Sequence, residues 1–224
     1  RRTLMAGFTA VQDVGGSNEA VFSLRDAIAD GKVPGPRMTT AGQAVSATGG
    51  HGDANGFSPR ISVVLTSDNI CDGADDCRRA VRQLVKDGAD VIKVTATGGV
   101  LSNTAAGLAQ QLFDDELVAI VETAESMGRK EPAHAHGTGG INAALSAGIH
   151  SIEHGTYLED DSIALFKANN ATLVPTVLAG ETVTGWDWLP PASREKAAEV
   201  GPRMDDSLRR AREGGVRVAY GPDT

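Results

Sequence analysis

This sequence has few aromatic residues, only 4%, and it lacks basic clusters and long apolar runs. Asp and Glu (29) outnumber Lys and Arg (21), giving a net charge of -8 with no basic stripe, so we expect no nucleic-acid partner. No apolar run reaches the roughly 18 residues of a membrane span, so we expect no membrane segment. The 224 residues are 41% hydrophobic and 22% charged, which is typical of a soluble globular protein.

Cysteine is also scarce. Cys71 and Cys77 are six residues apart, a spacing that matches neither a zinc knuckle nor a CxxC redox motif. We expect two structural thiols or one local disulfide, and the compartment stays open between cytoplasm, periplasm and secretion. The chain begins with Arg1-Arg2-Thr3-Leu4, which is neither a signal peptide nor an initiator methionine, so we expect a piece of a longer protein.

Short apolar runs alternate with helical stretches along the whole chain. Strands are predicted at 9–13, 37–41, 90–94, 132–136, 148–154, 172–177 and 216–220, with helices between them. The run 91–94 is apolar on both faces, as a parallel sheet covered by helices requires. We predict one domain over residues 1–224, a TIM (β/α)8 barrel that lacks its first strand. An open doubly wound sheet is the alternative, although no glycine-rich dinucleotide fingerprint follows any strand.

Candidate metal-binding residues fall at the ends of the predicted strands, where barrel enzymes place their chemistry. Lys93 lies near the end of one strand, and His134 and His136 are two apart in the next, so they point the same way. His154 ends the following strand and Asp223 follows the last. Imidazoles and carboxylates suit Zn²⁺, Mn²⁺ or Fe²⁺. A lysine joins such a set only as a carbamate, formed when its neutral amine adds CO₂.

Each residue also has an ordinary structural explanation. A lone lysine in an apolar strand usually pairs with a carboxylate or extends its amine to solvent. His154 alone is more often a structural histidine than a ligand, and Asp223 could simply cap a helix. His150 is assigned to structure. The four candidates Lys93, His134, His154 and Asp223 are therefore stronger evidence together than separately.

Five motifs resemble the amidohydrolase superfamily, and they occur in the family's order. They are, in this sequence, residues 7–16, 48–52, 90–94, 134–137 and 151–155. More narrowly, they are similar to the branch that contains imidazolonepropionase-related enzymes, Xaa-Pro dipeptidases, arginine-type carboxypeptidases and ochratoxin-hydrolysing amidohydrolases. The resemblance covers essentially the whole chain.

The resemblance implies a role for each matched residue. Lys93 matches the carbamylated lysine that bridges two Zn²⁺ ions, and His134 and His154 match the metal ligands of the fifth and sixth strands. Asp223 matches the aspartate that binds the first metal and takes the proton from the bridging hydroxide. His136 is then placed beside the scissile carbonyl or the substrate carboxylate. His51 is placed at the substrate, reaching in from a loop.

Two features depart from the family pattern. The first-strand His-x-His pair is absent from these residues, together with the last helix and the small β-sandwich. Pro132, which removes a hydrogen-bond donor, leads into a predicted strand and is tolerated only at that strand's first position.

The resemblance implies metal-dependent hydrolysis of an amide bond in a dipeptide or N-acyl amino acid. The alternatives are a lactonase or cyclic-amide (imidazolonepropionase-like) hydrolase, which uses the same metal chemistry, and a catalytically inert binding fragment. We also expect a homo-oligomer and a small-molecule substrate.

Overall fold

The computed structural model describes residues 1–102 and 107–223, in which seven short strands alternate with helices. The strands are β1 (Ala10–Asp13), β2 (Arg37–Thr40), β3 (Val94–Thr95), β4 (Pro132–Ala135), β5 (Ser151–His154), β6 (Thr172–Val174) and β7 (Arg217–Val218). The helices are α1 (Arg2–Met5), α2 (Asn18–Ala29), α3 (Pro59–Leu65), α4 (Ala74–Asp87), α5 (Asp114–Ser126), α6 (Thr138–Ala147), α7 (Asp160–Ala168), α8 (Val177–Thr184) and α9 (Pro191–Glu213).

The strands lie side by side in chain order and are all parallel. β1 pairs with β2, and β3 to β7 form a second set in sequential order. The two sets are joined where the Asp90 amide donates to the Thr40 carbonyl and Val45 bridges to Val94. Sequential parallel strands are the pattern of a (β/α) barrel, whereas a doubly wound sheet reverses its strand order at a switch point. The barrel prediction is confirmed.

An aromatic contact brings the first and last strands together. Phe8 lies two residues before β1 and Tyr220 two residues after β7, and their rings stack with centroids 5.7 Å apart. The ring of strands is therefore linked across β1 and β7 by side chains.

The core fills the space between the strands and the helices. Ile92, Ile152 and Leu173 on the strand side are fully buried, as are Leu117 and Ile120 of α5. Each such side chain stabilises the fold by roughly 1.5–3 kcal/mol relative to exposure. This packing holds the strand ends, and hence the residues at them, in fixed positions.

Pro132 is the first residue of β4, where it pairs with Ser151. This is the position at which the sequence predicts that proline is tolerated, since the missing N–H removes no bond from the middle of the ladder.

The two cysteines form a disulfide, with an S–S distance of 2.11 Å. Cys71 precedes α4 and Cys77 lies in its first turns, and both are buried. The sequence leaves thiols and disulfide equally open. A disulfide that closes so short a loop lowers the conformational entropy of the unfolded chain. It stabilises the folded state by about 2 kcal/mol through this effect.

Helix α8 is not predicted from the sequence. The predicted strand at 172–177 runs into its first residue, whereas β6 ends at Val174. The Val and Thr residues of α8 favour strands in isolation. The helix forms because α8 packs closely on α9: a Cβ at Gly180 would lie 2.4 Å from Met204 Sδ, and Thr184 Oγ1 donates to the Ala197 carbonyl at 3.3 Å. Within the described residues, no helix combines the length and apolar character of a membrane span.

Candidate metal centre

Three histidines meet at the carboxyl ends of β4 and β5. His134 lies in β4 and His136 directly follows that strand, two residues on, and the register pairs His154 with Ala135, which lies between them. One ring nitrogen from each histidine lies within 4.8 Å of the others. The His134 and His154 ring centroids are 4.7 Å apart, and those of His136 and His154 are 4.8 Å apart.

A fourth imidazole comes from the loop after β2. The His51 ring lies against His134 with a centroid separation of 4.2 Å. Its backbone N–H donates to Gln111 Oε1 at 2.8 Å. Gly99 packs so closely on the ring that a Cβ there would lie 2.2 Å from His51 Cε1. Among the described residues, the buried Nδ1 atom of His51 has no hydrogen-bond partner.

All four imidazoles are neutral at pH 7. Burial is the largest cause; it lowers the pKa of His136 to about 3 and that of His51 to about 4, with help from nearby positive charge. Burial and the neighbouring imidazoles hold the pKa values of His134 and His154 well below the ordinary value. A neutral imidazole has a lone pair on one nitrogen and no positive charge, so the cluster can bind a cation.

Two threonine hydroxyls orient the histidines. The Thr156 hydroxyl lies 2.7 Å from His136 Nδ1, and the Thr176 hydroxyl lies 2.6 Å from His154 Nδ1. Each contact fixes a ring by its Nδ1 and leaves Nε2 for a ligand, which can be a metal ion at His154 or a substrate oxygen at His136. Thr176 adopts a φ of 46°, which is uncommon for a β-branched residue, and His154 a φ of 72°. Such strained backbone clusters at functional sites.

Lys93 enters the same region but is paired. Its Nζ lies 2.8 Å from Glu153 Oε2, and both side chains are buried. Ser151 Oγ donates to the other oxygen, Glu153 Oε1, at 2.9 Å. Sequence reasoning missed this role of Glu153. The position of Glu153 in a predicted strand could have indicated this role, because buried glutamates are almost always paired.

Lys196 of α9 is a second residue that sequence reasoning missed. Its ammonium donates to the carbonyl oxygens of Gly99 and Ser102, both at 2.6 Å. It therefore holds the loop that packs against His51. No local pattern in the sequence connects α9 with this loop.

Asp223 is not a member of the histidine group. It is exposed, with a φ of 59°, and it is not among the residues whose ligand atoms lie within 4.8 Å of one another around His134. It lines the same cavity of about 1990 Å³ as the other predicted site residues. Those residues are His51, Lys93, His134, His136 and His154.

The donor set fits a divalent transition-metal ion. Neutral imidazoles, a carboxylate on the cavity wall and a buried His51 nitrogen without a partner are the groups that Zn²⁺, Mn²⁺ or Fe²⁺ prefers. The ligand roles of Lys93, His134, His154 and Asp223 remain predictions, as do the substrate roles of His51 and His136.

Several known proteins are similar to this chain in sequence and in fold. Ochratoxinase from Aspergillus niger is 34% identical over 238 residues, which cover 99% of this chain and 48% of that protein. The crystal structure of a Xaa-Pro dipeptidase with bound methionine in the active site is 41% identical, with a TM-score of 0.92 over 98% of this chain and 55% of that one. A prolidase complexed with N-methylphosphonate-L-proline is 33% identical, with a TM-score of 0.87 over 99% and 56%.

The chain spans about half the length of the relatives that it matches. The family model that matches it extends over residues 1–224 and describes the amidohydrolase family. The sequential parallel barrel, the buried histidines at its carboxyl end and these likenesses agree, and the chain belongs to the amidohydrolase family.

Proposed function

We propose that this protein hydrolyses the amide bond of a dipeptide or N-acyl amino acid at the histidine cluster. The observation that carries the proposal is the group of three neutral imidazoles, of which His134 and His136 are buried and His154 is half-buried, on the wall of a large cavity. The names of the relatives support the substrate class, since a Xaa-Pro dipeptidase, a prolidase and an ochratoxinase are among them.

Four residues would hold the metal in this proposal: His134, His154, Lys93 as its carbamate, and Asp223. The Lys93 ammonium, paired with Glu153, would first lose a proton; the neutral amine would then bond to CO₂ with loss of a second proton to give the carbamate, which is a carboxylate-type ligand. We propose two Zn²⁺ ions, with Mn²⁺ or Fe²⁺ as alternatives. A bound divalent ion supplies a Lewis acid and acidifies a coordinated water.

Asp223 would also move the proton, and His136 and His51 would position the substrate. Asp223 is exposed on the cavity wall, so its carboxylate can accept a proton from water and return it to the leaving amine. His136, held by Thr156, can donate to the carbonyl oxygen as negative charge develops there. His51 would contact the substrate beside it.

The test is the release of free amino acids from a panel of dipeptides, including Xaa-Pro, and N-acyl amino acids. Lactones and cyclic amides in the same panel distinguish the alternative chemistry. We expect Lys93→Ala to abolish hydrolysis of the preferred amide. Lys167→Ala, which truncates an exposed lysine on α7, is the matched control and should keep full activity. An active Lys93→Ala enzyme would end the carbamate proposal.

Thr176 offers a test of metal positioning. Replacing it by Val keeps its shape and removes the hydroxyl that contacts His154 Nδ1. We expect metal affinity to fall by about 10–100-fold, as when a ligand loses the partner that orients it. Thr176→Ser keeps the hydroxyl and should bind within a few-fold of the parent. Competition with a chromophoric chelator measures both variants, and equal affinities for Val and Ser would contradict the role.

A further inference from the structure

A second group of ligand-type side chains lies outside the histidine cluster. Glu125, Glu131 and His150 each offer one atom, and these atoms lie within 4.8 Å of one another. Glu125 is in the last turn of α5, Glu131 directly precedes β4, and His150 directly precedes β5. The group is therefore at the amino ends of the strands. Three residues of extended chain, about 10 Å, separate Glu131 from His134.

Glu131 is the central observation, because its carboxyl group is fully buried and only half satisfied. The residue is 0% exposed. Its Oε2 lies 3.0 Å from His150 Nδ1, whereas its Oε1 has no hydrogen-bond partner among the described residues. A buried carboxylate oxygen without a partner is strongly unfavourable, so a ligand bound to this atom would stabilise the protein.

The surrounding charge favours a cation in that position. Burial, followed by the charge of Glu125, raises the pKa of Glu131 to about 8. A proton shared with His150 would satisfy Oε2 and still leave Oε1 without a partner. A divalent cation would occupy Oε1 and offset the charges of both glutamates. Lys130 acts in the opposite direction, since its charge also reaches Glu131.

The geometry suits a small transition-metal ion. Two ligands at about 2.0–2.1 Å from a tetrahedral Zn²⁺ are about 3.3 Å apart. One ligand atom from each of the three side chains lies within 4.8 Å of the others, so small side-chain rotations bring them to this spacing, with the ion replacing the hydrogen bond between His150 Nδ1 and Glu131 Oε2. Burial lowers the pKa of His150, so its ring is neutral at pH 7. Glu125 and His150 are exposed, which leaves the position open to solvent for ion entry and for water as a fourth ligand.

We propose that Glu125, Glu131 and His150 bind one divalent transition-metal ion, of the Zn²⁺ class, at the amino end of the barrel. The ion ties the end of α5 to the segments that enter β4 and β5. Its role is structural, since the group lies at the end of the strands opposite to the histidine cluster. The proposal does not depend on the hydrolase activity and goes beyond it.

The test separates the two centres by mutation. In the full chain carrying His134→Ala and His154→Ala, we expect one Zn²⁺ ion per chain to remain bound, measured by elemental analysis and by competition with a chromophoric chelator. Adding Glu131→Gln should weaken this binding by at least about tenfold, by analogy with the loss of a metal-orienting carboxylate. Glu122→Gln removes an exposed charge one turn earlier on α5 and should leave binding unchanged.

A second substitution keeps the test decisive if Glu131→Gln does not fold. His150→Gln changes an exposed residue, and it should weaken Zn²⁺ binding by a similar factor while circular dichroism shows the parent fold. A doubly substituted parent that binds no Zn²⁺ would overturn the proposal. Binding that is the same with Glu131 or His150 replaced would overturn it as well, and would leave Glu131 as a buried protonated acid. Neither result bears on the histidine cluster.

Discussion

Replacing Glu153 by Ala is expected to lower the free energy of unfolding of the metal-free protein by about 3–5 kcal/mol. The substitution leaves the Lys93 ammonium buried without the carboxylate that lies 2.8 Å away. Burying an unpaired charge is among the largest effects that a single substitution can have, because neither water nor another ion replaces the lost partner. Urea unfolding followed by circular dichroism measures the change.

Two further variants make this prediction specific to the buried pair. Lys93→Met combined with Glu153→Leu removes both charges and should recover most of the lost stability, since apolar replacements of a buried pair are often neutral. Asp160→Ala breaks an ion pair with Arg210 in which the Asp160 side chain is fully exposed, and it should change stability little. If Glu153→Ala behaves like Asp160→Ala, Lys93 is not held as an ammonium by Glu153.

Gly98→Ala is the second substitution with a large expected effect. A Cβ at Gly98 would lie 1.8 Å from the Gly107 carbonyl oxygen, a backbone atom that cannot rotate away. The loop must move as a whole, and with it the Gly98 carbonyl that lies 3.2 Å from His134 Nε2. We expect the free energy of unfolding to fall by roughly 3 kcal/mol or more, at the upper end of overpacking effects, and metal binding to weaken.

Gly139→Ala is the matched control for Gly98→Ala. Gly139 lies in α6, and no atom lies within 4 Å of the Cβ that would be added there. Alanine is the better helix former by about 1 kcal/mol, so this variant should be as stable as the parent or more stable. Thermal unfolding and chelator competition on both variants decide the matter. A Gly98→Ala protein that unfolds and binds metal like Gly139→Ala would show that the loop accommodates the methyl group.

The order of strands and helices could be read largely from the sequence. The predicted run 132–136 matches β4 (Pro132–Ala135), and the predicted run 148–154 contains β5 (Ser151–His154). These elements are set by local patterns: apolar runs with turn residues at their ends, and helices closed by glycine. Helices α3 and α8 were missed because α3 lies in an irregular excursion and the residues of α8 favour strands.

The candidate site was predicted in part. His134 and His136 were placed together by their spacing of two, and His154 by its position at a strand end, and the structure brings all three together. His51 joins them through a loop whose path the sequence does not determine. Asp223 shares the cavity but not the histidine group, so its predicted role stays a prediction.

The sequence by itself determined the alternation of strands and helices, and with it the end of the barrel at which the histidines emerge. These properties follow from periodicity within a few residues. Only the tertiary structure decided that Lys93 pairs with Glu153, that Lys196 holds the Gly99 loop, and that Cys71 and Cys77 are bonded. The first two contacts join residues 60 and 97 positions apart. Such distant pairs are selected by how the elements pack, a property that no local pattern contains.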